Sequence, residues 1–425
     1  MINIVVFEDE NYKNFLPLLY TRHASELLIG GLTNLERILK LELNEEINLF
    51  LMGREYLADY IKNEYSINYV SSFEELNNYI HDDDIIGVNA LIHASKRELQ
   101  DIIISALNKK QVLTSQGLIL AFSMKAKDLK IKNWSTKQLI KNAKDRGISI
   151  SKGKEGRILV YPWNLISSIG ECIKGNVEYI SDEFNISDGD KGTDKVYLGK
   201  NVELEGNVFF DTSKGPIVIG DNVKIEYGSI LRGPIWIRNG AEILTAKIKS
   251  ESIIGVRCKI GSEIECSIVD DYTNIAHHGF IGHSYIGKWV NIGAQTTFSD
   301  LKNTYGTVKM SVNNMLIDSK LLKLGPFISD YVKLSIGTLV YSGKWIGTAS
   351  HIYDIVNRDV PSFVIWTKNE IYELNVEKVI DIHKKMFKRR NKELKEYHKQ
   401  VIYQVYKLTE EERRKAGVKK GYFKG

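Results

Sequence analysis

The sequence has few of the features that mark secreted, metal-binding or membrane proteins. Its 425 residues include three cysteines, Cys172, Cys258 and Cys266, and none belongs to a Cys-x-x-Cys pair. Neither a zinc site nor a disulfide framework is indicated, and we expect three small buried thiols. No apolar run approaches the roughly 20 residues of a membrane-spanning helix, and the first ten residues do not resemble a secretory signal. We expect a cytoplasmic protein with no membrane association.

The surplus of positive charge is small and confined to one end of the chain. Lys and Arg number 58 against 53 Asp and Glu, but residues 370–425 alone hold 16 basic and 9 acidic groups. The preceding residues therefore carry a net charge near −2, which does not indicate a general polyanion-binding protein. No aromatic residues interleave with the basic ones as in nucleic-acid platforms, so we expect no nucleic-acid partner. A solvated helix face, or docking on a trimer or an acidic partner, explains the basic residues.

The first 165 residues alternate between two patterns. Short apolar runs at 2–7, 47–52 and 85–90 predict buried strands, whereas 32–43, 55–61 and 96–107 have helical spacing. This alternation predicts a parallel sheet covered on both faces, in an α/β domain over residues 1–180. In such sheets ligands bind beyond the carboxyl ends of the strands.

Beyond residue 195, apolar residues recur every six positions. The positions in phase are Leu198, Leu204, Phe210, Ile219, Ile225, Leu231, Ile237, Ile243, Ile254, Ile260, Ile286, Ile292, Ile328, Leu334, Val340 and Ile346. Such hexapeptides specify a parallel β-helix, which we place at residues 190–365. Stretches 270–279 and 295–316 interrupt the period and are rich in His, Asn, Thr and Asp. We expect them to be inserted loops that carry a site.

From residue 375 the pattern is helical again. Apolar residues advance by threes, fours and sevens, which predicts one long amphipathic helix with a basic outer face. We therefore expect a basic helical tail over residues 370–425.

Three segments carry a resemblance to a known family. They are Leu-Pro-Leu-Leu-Tyr-Thr-Arg and its continuation at 16–37, Tyr-Pro-Trp-Asn-Leu at 161–165, and the histidine-rich stretch 276–306. With the hexapeptides they resemble the GlmU-like family, in which a sugar nucleotidyltransferase domain precedes a left-handed β-helix acyltransferase domain. The resemblance implies that an NTP and a sugar 1-phosphate give an NDP-sugar and pyrophosphate. It also implies acetyl transfer from acetyl-CoA to an amino sugar or its phosphate, and a homotrimer formed through the β-helix.

The resemblance also implies site residues on the β-helix. His277 falls on the catalytic histidine, and a histidine suits proton transfer because its ordinary pKa of about 6.5 lies near working pH. Asn291 falls on a position that contacts the acceptor sugar, and Ala294 on one that contacts acetyl-CoA. Ser335 and Ser342 offer hydroxyls to the acyl carrier. His283 lies at a turn and is interpreted as structural, and Asp300-Leu301 replaces an Asn-Tyr pair that binds CoA in the family.

The N-terminal domain departs from the family in its charged residues. Arg22 is the expected phosphate contact, whereas Leu28 stands where a second arginine is common. Asn89 and Asn164 occupy positions of metal-site or acidic residues, and a neutral amide binds Mg²⁺ more weakly than a carboxylate. Mg²⁺ is thus an expected cofactor whose ligands the sequence leaves open. Two alternatives follow: an acyltransferase with a degenerate nucleotide- or sugar-phosphate-binding domain, and a non-catalytic trimeric assembly protein.

Overall fold

The computed structural model describes residues 2–43, 45–80, 83–129, 135–180, 184–191 and 194–421. Its contacts divide the chain into two compact units. The first unit comprises Met1–Asn14, Arg22–Leu27 and Leu32–Val160, and the second comprises Phe15–Thr21, Leu28–Gly31 and Tyr161–Gly425. The finer division into three domains remains a sequence-based prediction.

The first unit is built on a sheet of seven strands. Their order across the sheet is Asn68–Val70, Ile47–Met52, Ile2–Phe7, Asp84–Asn89, Leu118–Lys125, Gln111–Ser115 and Ser149–Lys152. The first four strands are parallel, as the sequence predicted. The expectation of a fully parallel sheet is wrong at Leu118–Lys125, which runs antiparallel to both neighbours. The reason is the tight turn at Gln116 and Gly117, both at positive φ, which favours a hairpin over a crossover.

Helices cover this sheet. The α-helices are Asn34–Leu39, Ala58–Tyr65, Phe73–Leu76, Lys96–Lys109 and Thr136–Asp145, with short 3₁₀ turns at Ala24–Glu26, Glu55–Leu57 and Ala126–Asp128. The helix predicted at 96–107 begins where Ser95 and Glu98 cap each other's backbone N–H groups. The helix expected at 32–43 is shorter, because Leu32–Thr33 is a strand.

The second unit contains a left-handed parallel β-helix whose strands form three faces. The first face holds Asn185–Asp188, Lys195–Leu198, Ile217–Ile219, Ile235–Ile237, Ser252–Ile254, Ile268–Val269, Tyr285–Ile286, Phe327–Ile328 and Trp345–Ile346. The second face holds Glu203–Leu204, Lys224–Ile225, Glu242–Ile243, Lys259–Ile260, Asn274–Ile275, Asn291–Ile292, Lys333–Leu334, His351–Ile352, Val364–Trp366 and Ile371–Glu373. The third face holds Phe209–Asp211, Ile230–Arg232, Lys247–Ile248, Glu263–Glu265, Phe280–Gly282, Thr297–Phe298 and Leu339–Val340.

The core of the β-helix confirms the predicted repeat. From Ile219 to Ile346, every residue of the six-residue phase lies buried in one hydrophobic cluster. The three earlier positions are less buried: Leu198 and Phe210 are partly buried against the cluster, and Leu204 is 41% exposed. Leu204 lies in the first coil, whose strand has a neighbouring coil on only one side. Ile248 and Ile264 are also in the cluster, yet they follow their predecessors after five and four residues. A fixed period misses them because some corners are shorter than others.

One of the two expected inserted loops is real. Stretch 270–279 is a regular part of the coil, since it contains the strand Asn274–Ile275, and its prediction as a loop is wrong. The true insertion lies between Phe298 and Phe327 and contains an antiparallel hairpin of Lys309–Val312 and Met315–Asp318. Asn313 and Asn314 turn this hairpin at positive φ.

The C-terminal region is helical but does not form one long helix. Its helices are Val376–Arg389, Glu396–Leu408 and Glu410–Lys415. Asn391, at positive φ, lies in the break that the sequence pattern did not reveal. The Trp289 ring stacks between Tyr272 (centroids 4.3 Å apart) and Phe387 (4.1 Å), and His383 stacks on Tyr331 (4.2 Å). The helices therefore dock on the coil of their own chain; residues 422–425 lie outside the described residues.

The sequence also predicted buried cysteines and no membrane-spanning helix. Cys172 and Cys258 are buried thiols outside any disulfide, as expected, whereas Cys266 is only partly buried. In the described parts of the chain, no helix has the length and apolar character needed to cross a bilayer. The cytoplasmic location stays a prediction.

Candidate functional site

A buried ion pair closes one part of the sheet edge in the first unit. Glu8 follows the strand Ile2–Phe7, and its carboxylate accepts hydrogen bonds from the Ala24 N–H (2.8 Å) and from Arg54 Nε (2.9 Å) and Nη2 (2.7 Å). Burial alone would raise the pKa of Glu8, but the Arg54 guanidinium outweighs it and the pKa is lowered. A Cβ on Gly53 would lie 2.4 Å from Glu8 Oε2. Carboxylate and guanidinium therefore satisfy each other directly after the strand Ile2–Phe7.

Arg22 does not present its side chain to a ligand in this structure. The residue is 1% exposed, and its backbone carbonyl accepts a hydrogen bond from Arg54 Nη2 (2.6 Å). A phosphate contact would require the side chain to leave its buried position. The predicted role of Arg22 in phosphate binding stays a prediction.

Asn89 ends the strand Asp84–Asn89, as predicted, and is completely buried. Its Nδ2 donates to Asp9 Oδ2 (2.9 Å) and to the Ile119 carbonyl (3.0 Å), and its Oδ1 accepts from the Leu91 N–H (2.8 Å). Asp9 also accepts two hydrogen bonds from Asn11, and burial nevertheless raises its pKa.

This arrangement does not fit Mg²⁺. The ion takes oxygen ligands, whereas Asn89 turns its N–H group toward the Asp9 carboxylate and uses its oxygen on the backbone. Over the described ranges, no group of three or more His, Cys, Asp and Glu side chains is placed to hold a metal ion.

Asn164 belongs to the second unit and supports local structure there. It lies in the helix Trp163–Ser167, and its Oδ1 accepts the Tyr161 N–H (2.8 Å). The Tyr161 and Trp163 rings stack with centroids 4.6 Å apart. Leu28, also in this unit, is buried, and its N–H donates to the Tyr285 hydroxyl (3.2 Å).

Four of the five predicted β-helix residues lie at one stacked corner between the second and third faces or on the strand that leads into it. His277 is an exposed residue between the strands Asn274–Ile275 and Phe280–Gly282. Asn291, one coil further on, accepts a hydrogen bond from Asn274 Nδ2 (3.0 Å). Ala294 follows Asn291, and the next residue donates its N–H to the His278 carbonyl (2.7 Å). We call this the His277 corner.

The two predicted serines lie at different corners of the coil. Ser335 lies at the same corner one coil on, where the Gly337 N–H donates to the Ala294 carbonyl (2.8 Å) and the Thr296 hydroxyl donates to the Ser335 carbonyl (3.2 Å). Ser342 lies in the turn that joins the third face to the first. The structure therefore places Ser335, but not Ser342, in line with His277.

His283 and Asp300 form a pair that sequence reasoning missed. His283 Nδ1 lies 2.7 Å from Asp300 Oδ2, and both side chains are largely buried. Burial raises the pKa of Asp300, but the hydrogen bond and charge of His283 outweigh it and the pKa is lowered. The available signal was spacing: the paired residues Asn274 and Asn291 stand 17 positions apart, as do His283 and Asp300.

Comparison with known proteins gives one family match and several partial relatives. Residues 4–184, less than half of the sequence, match the family model described as sugar nucleotidyl transferase. A bifunctional sugar-1-phosphate nucleotidylyltransferase/acetyltransferase of Sulfurisphaera tokodaii is 29% identical over 188 residues, which cover 43% of this chain and 46% of the relative. The bifunctional protein GlmU of Methanocaldococcus jannaschii is 27% identical over 239 residues, covering 53% and 50%.

A third relative is shorter. The uncharacterized acetyltransferase YaiX of Escherichia coli is 28% identical over 177 residues, 40% of this chain and 77% of the relative. The chain spans about half the length of the bifunctional relatives that it matches. The chain is thus similar to GlmU-type proteins: the residues that match the sugar nucleotidyl transferase model precede a parallel β-helix, in agreement with the resemblance found in the sequence.

Proposed function

We propose that this protein is a transferase of sugar-nucleotide synthesis. Its β-helix transfers an acetyl group from acetyl-CoA to an amino sugar or its phosphate, and its N-terminal domain joins an NTP to a sugar 1-phosphate and releases pyrophosphate. The observation that carries the proposal is the order of a sugar nucleotidyl transferase match followed by a β-helix with an exposed histidine corner. The names of the bifunctional relatives support both activities.

In the acetyl transfer, His277 takes the proton from the acceptor amine as the nitrogen attacks the thioester carbonyl. The carbon–sulfur bond then breaks, and CoA leaves as a thiol after regaining that proton. Asn291 and Ala294 lie at the same corner, where they contact the acceptor and the donor. This exposed corner leaves room for both molecules on the coil.

We expect His277→Ala to lower the rate of CoA release from acetyl-CoA and an amino-sugar phosphate by about 100-fold or more, because a positioned base contributes 10²–10⁴-fold. Release is followed with a thiol reagent, and His278→Ala is the matched control because it removes the exposed neighbouring histidine. Equal rates in the two variants would show that His277 is not the base.

A second candidate function is favoured by the closed edge of the first sheet. The Glu8–Arg54 pair and the Asn89–Asp9 pair satisfy groups that a nucleotidyltransferase would turn toward its substrates. In this candidate the N-terminal domain binds a nucleotide or sugar phosphate, and only the β-helix is catalytic.

A pyrophosphate assay separates the two candidates. With NTPs, sugar 1-phosphates and Mg²⁺, the first candidate predicts release of pyrophosphate without any acyl donor. The second predicts a raised thermal unfolding temperature with one of these ligands and no pyrophosphate. If the ligands change neither measurement, the N-terminal domain has no role in sugar-nucleotide chemistry.

We also propose that the β-helix assembles as a homotrimer. Exposed apolar residues on and beside its third face, Ile336, Leu339 and Tyr341, support this proposal. Light scattering distinguishes a trimer from the 48.5 kDa chain. A trimer that lacks both activities would instead support the non-catalytic assembly protein.

A further inference from the structure

The His283–Asp300 pair has the geometry of a base held by a carboxylate. When His283 donates its Nδ1–H to Asp300 Oδ2 across 2.7 Å, the lone pair of the ring is on Nε2. Asp300 is the second residue of the insertion, and its carbonyl accepts the Leu324 N–H (2.8 Å) where the insertion returns to the coil. The two ends of the insertion are thus joined at the backbone of Asp300.

A polar cavity of about 610 Å³ lies against the preceding coils at the corner between the third and first faces, and His283 stands at this corner one coil beyond the lining residues. Its lining includes Glu265 and Cys266, and the His283 N–H donates to the Glu265 carbonyl (2.9 Å). Burial raises the pKa of the Cys266 thiol to about 12, so this cysteine stays protonated and is not the nucleophile. The described lining contains no histidine, and His283 is the histidine bonded through its backbone to the lining residue Glu265.

The charges of the cavity balance. Four cationic and four acidic side chains line it, and several are paired: Lys249 Nζ lies 2.8 Å from Glu265, and Arg232 Nε lies 3.9 Å from Asp211. A surface that offers many hydrogen-bond donors and acceptors without net charge suits a polyhydroxylated molecule. The volume lies within the range of small-molecule sites.

We propose that His283 and Asp300 activate a carbohydrate hydroxyl for acetylation, as a second acceptor site distinct from the His277 corner. This inference rests on the proposed use of acetyl-CoA. His283 Nε2 takes the hydroxyl proton, the oxygen attacks the thioester carbonyl, and an ester forms. The carbon–sulfur bond breaks, and the departing thiolate takes the proton back from the imidazolium.

The chemistry of the acceptor distinguishes the two corners. A neutral amine is already a nucleophile, so an exposed histidine such as His277 is sufficient for it. A hydroxyl is a weak nucleophile until its proton is removed, and a base oriented by a carboxylate is the usual arrangement for this task. His283 has such a carboxylate, and Asp300 acts as a positioning residue.

The test compares two acceptors with acetyl-CoA. N-acetylglucosamine offers hydroxyls but no free amine, whereas glucosamine offers both. His283→Asn keeps the left-handed backbone at φ 49°, which asparagine tolerates. We expect this variant to lower kcat with N-acetylglucosamine by about 100-fold or more with little change in KM. Asp300→Asn should also lower kcat, whereas Arg232→Gln should raise KM.

His278→Asn is the control, and circular dichroism verifies the fold of each variant. An unchanged kcat with N-acetylglucosamine in both His283→Asn and Asp300→Asn would overturn the inference. If the wild type releases CoA with glucosamine but not with N-acetylglucosamine, the inference is also overturned. The proposed amine acetylation would then still stand. No CoA release with either acceptor or with amino-sugar phosphates would refute both proposals.

Discussion

At the scale of single residues, three basic side chains lie where the C-terminal helices dock on the coil: Lys333 and His351 on the coil and His383 on the first helix. Lys333 is aligned with Asn291 and His351 on the second face, and its Nζ donates to the Trp289 carbonyl (2.9 Å). Burial lowers the pKa of Lys333 to about 7, and burial together with the charge of Lys333 lowers that of His351 to about 4. His383 is 2% exposed, and this burial lowers its pKa well below the ordinary value.

These shifts make stability depend on pH. An unfolded Lys333 keeps its proton up to about pH 10.5, whereas the folded residue loses it near pH 7. Between these values the unfolded state binds more protons, so this residue makes the free energy of unfolding rise with pH. Its destabilising effect is fully present below pH 7. Lys333→Met should therefore flatten the pH dependence of unfolding between pH 7 and 10.

The measurement is chemical denaturation at a series of pH values. Lys200→Met, at an exposed lysine, is the control and should follow the wild-type curve. A Lys333→Met curve parallel to that of the wild type would show that this lysine does not titrate between folded and unfolded states as argued.

At the scale of elements, the C-terminal helices are held to the coil mainly by aromatic rings. Tyr272, Trp289 and Phe387 form one stack, and Phe387 is 4% exposed. Arg257 Nη1 also donates to the Arg390 carbonyl (3.2 Å) just beyond the first of these helices. Lys384, Lys385, Lys388 and Arg389 beside this contact are exposed, as predicted. Arg413 is the contrast, since it is buried and its Nε lies 2.9 Å from Glu373 Oε1.

Removing the ring of Phe387 should release the helices. We expect Phe387→Ala to cost about 3–5 kcal/mol, as buried aromatic truncations usually do. Limited proteolysis should then cleave the C-terminal region much faster than in the wild type. Leu408→Ala is the control because that side chain is 52% exposed. Similar cleavage of both variants would contradict the role assigned to the stack.

At the scale of the whole molecule, the sequence revealed repeating contacts better than individual ones. Inward residues such as Ile219 and Ile237 were predictable because each fills the same position on successive coils. Ile264 was not predictable because a short corner moves it out of the six-residue phase. The end of the first C-terminal helix was not predictable because the apolar spacing does not show the break at Asn391. Site geometry was least predictable: the burial of Arg22 and the bonding of Asn89 depend on neighbours far away in sequence, such as Arg54 and Ile119.

The division of the chain into two units limits where its halves could be exchanged by recombination. Phe15–Thr21 and Leu28–Gly31 belong to the unit of the coil although they precede most of the other unit. The Pro17 carbonyl accepts the Ser329 hydroxyl (2.9 Å), and Leu28 N–H binds Tyr285. A single crossover between residues 31 and 161 would separate the coil from both segments. An exchange of halves between relatives at such a point would therefore give the coil segments that did not evolve with Ser329 and Tyr285.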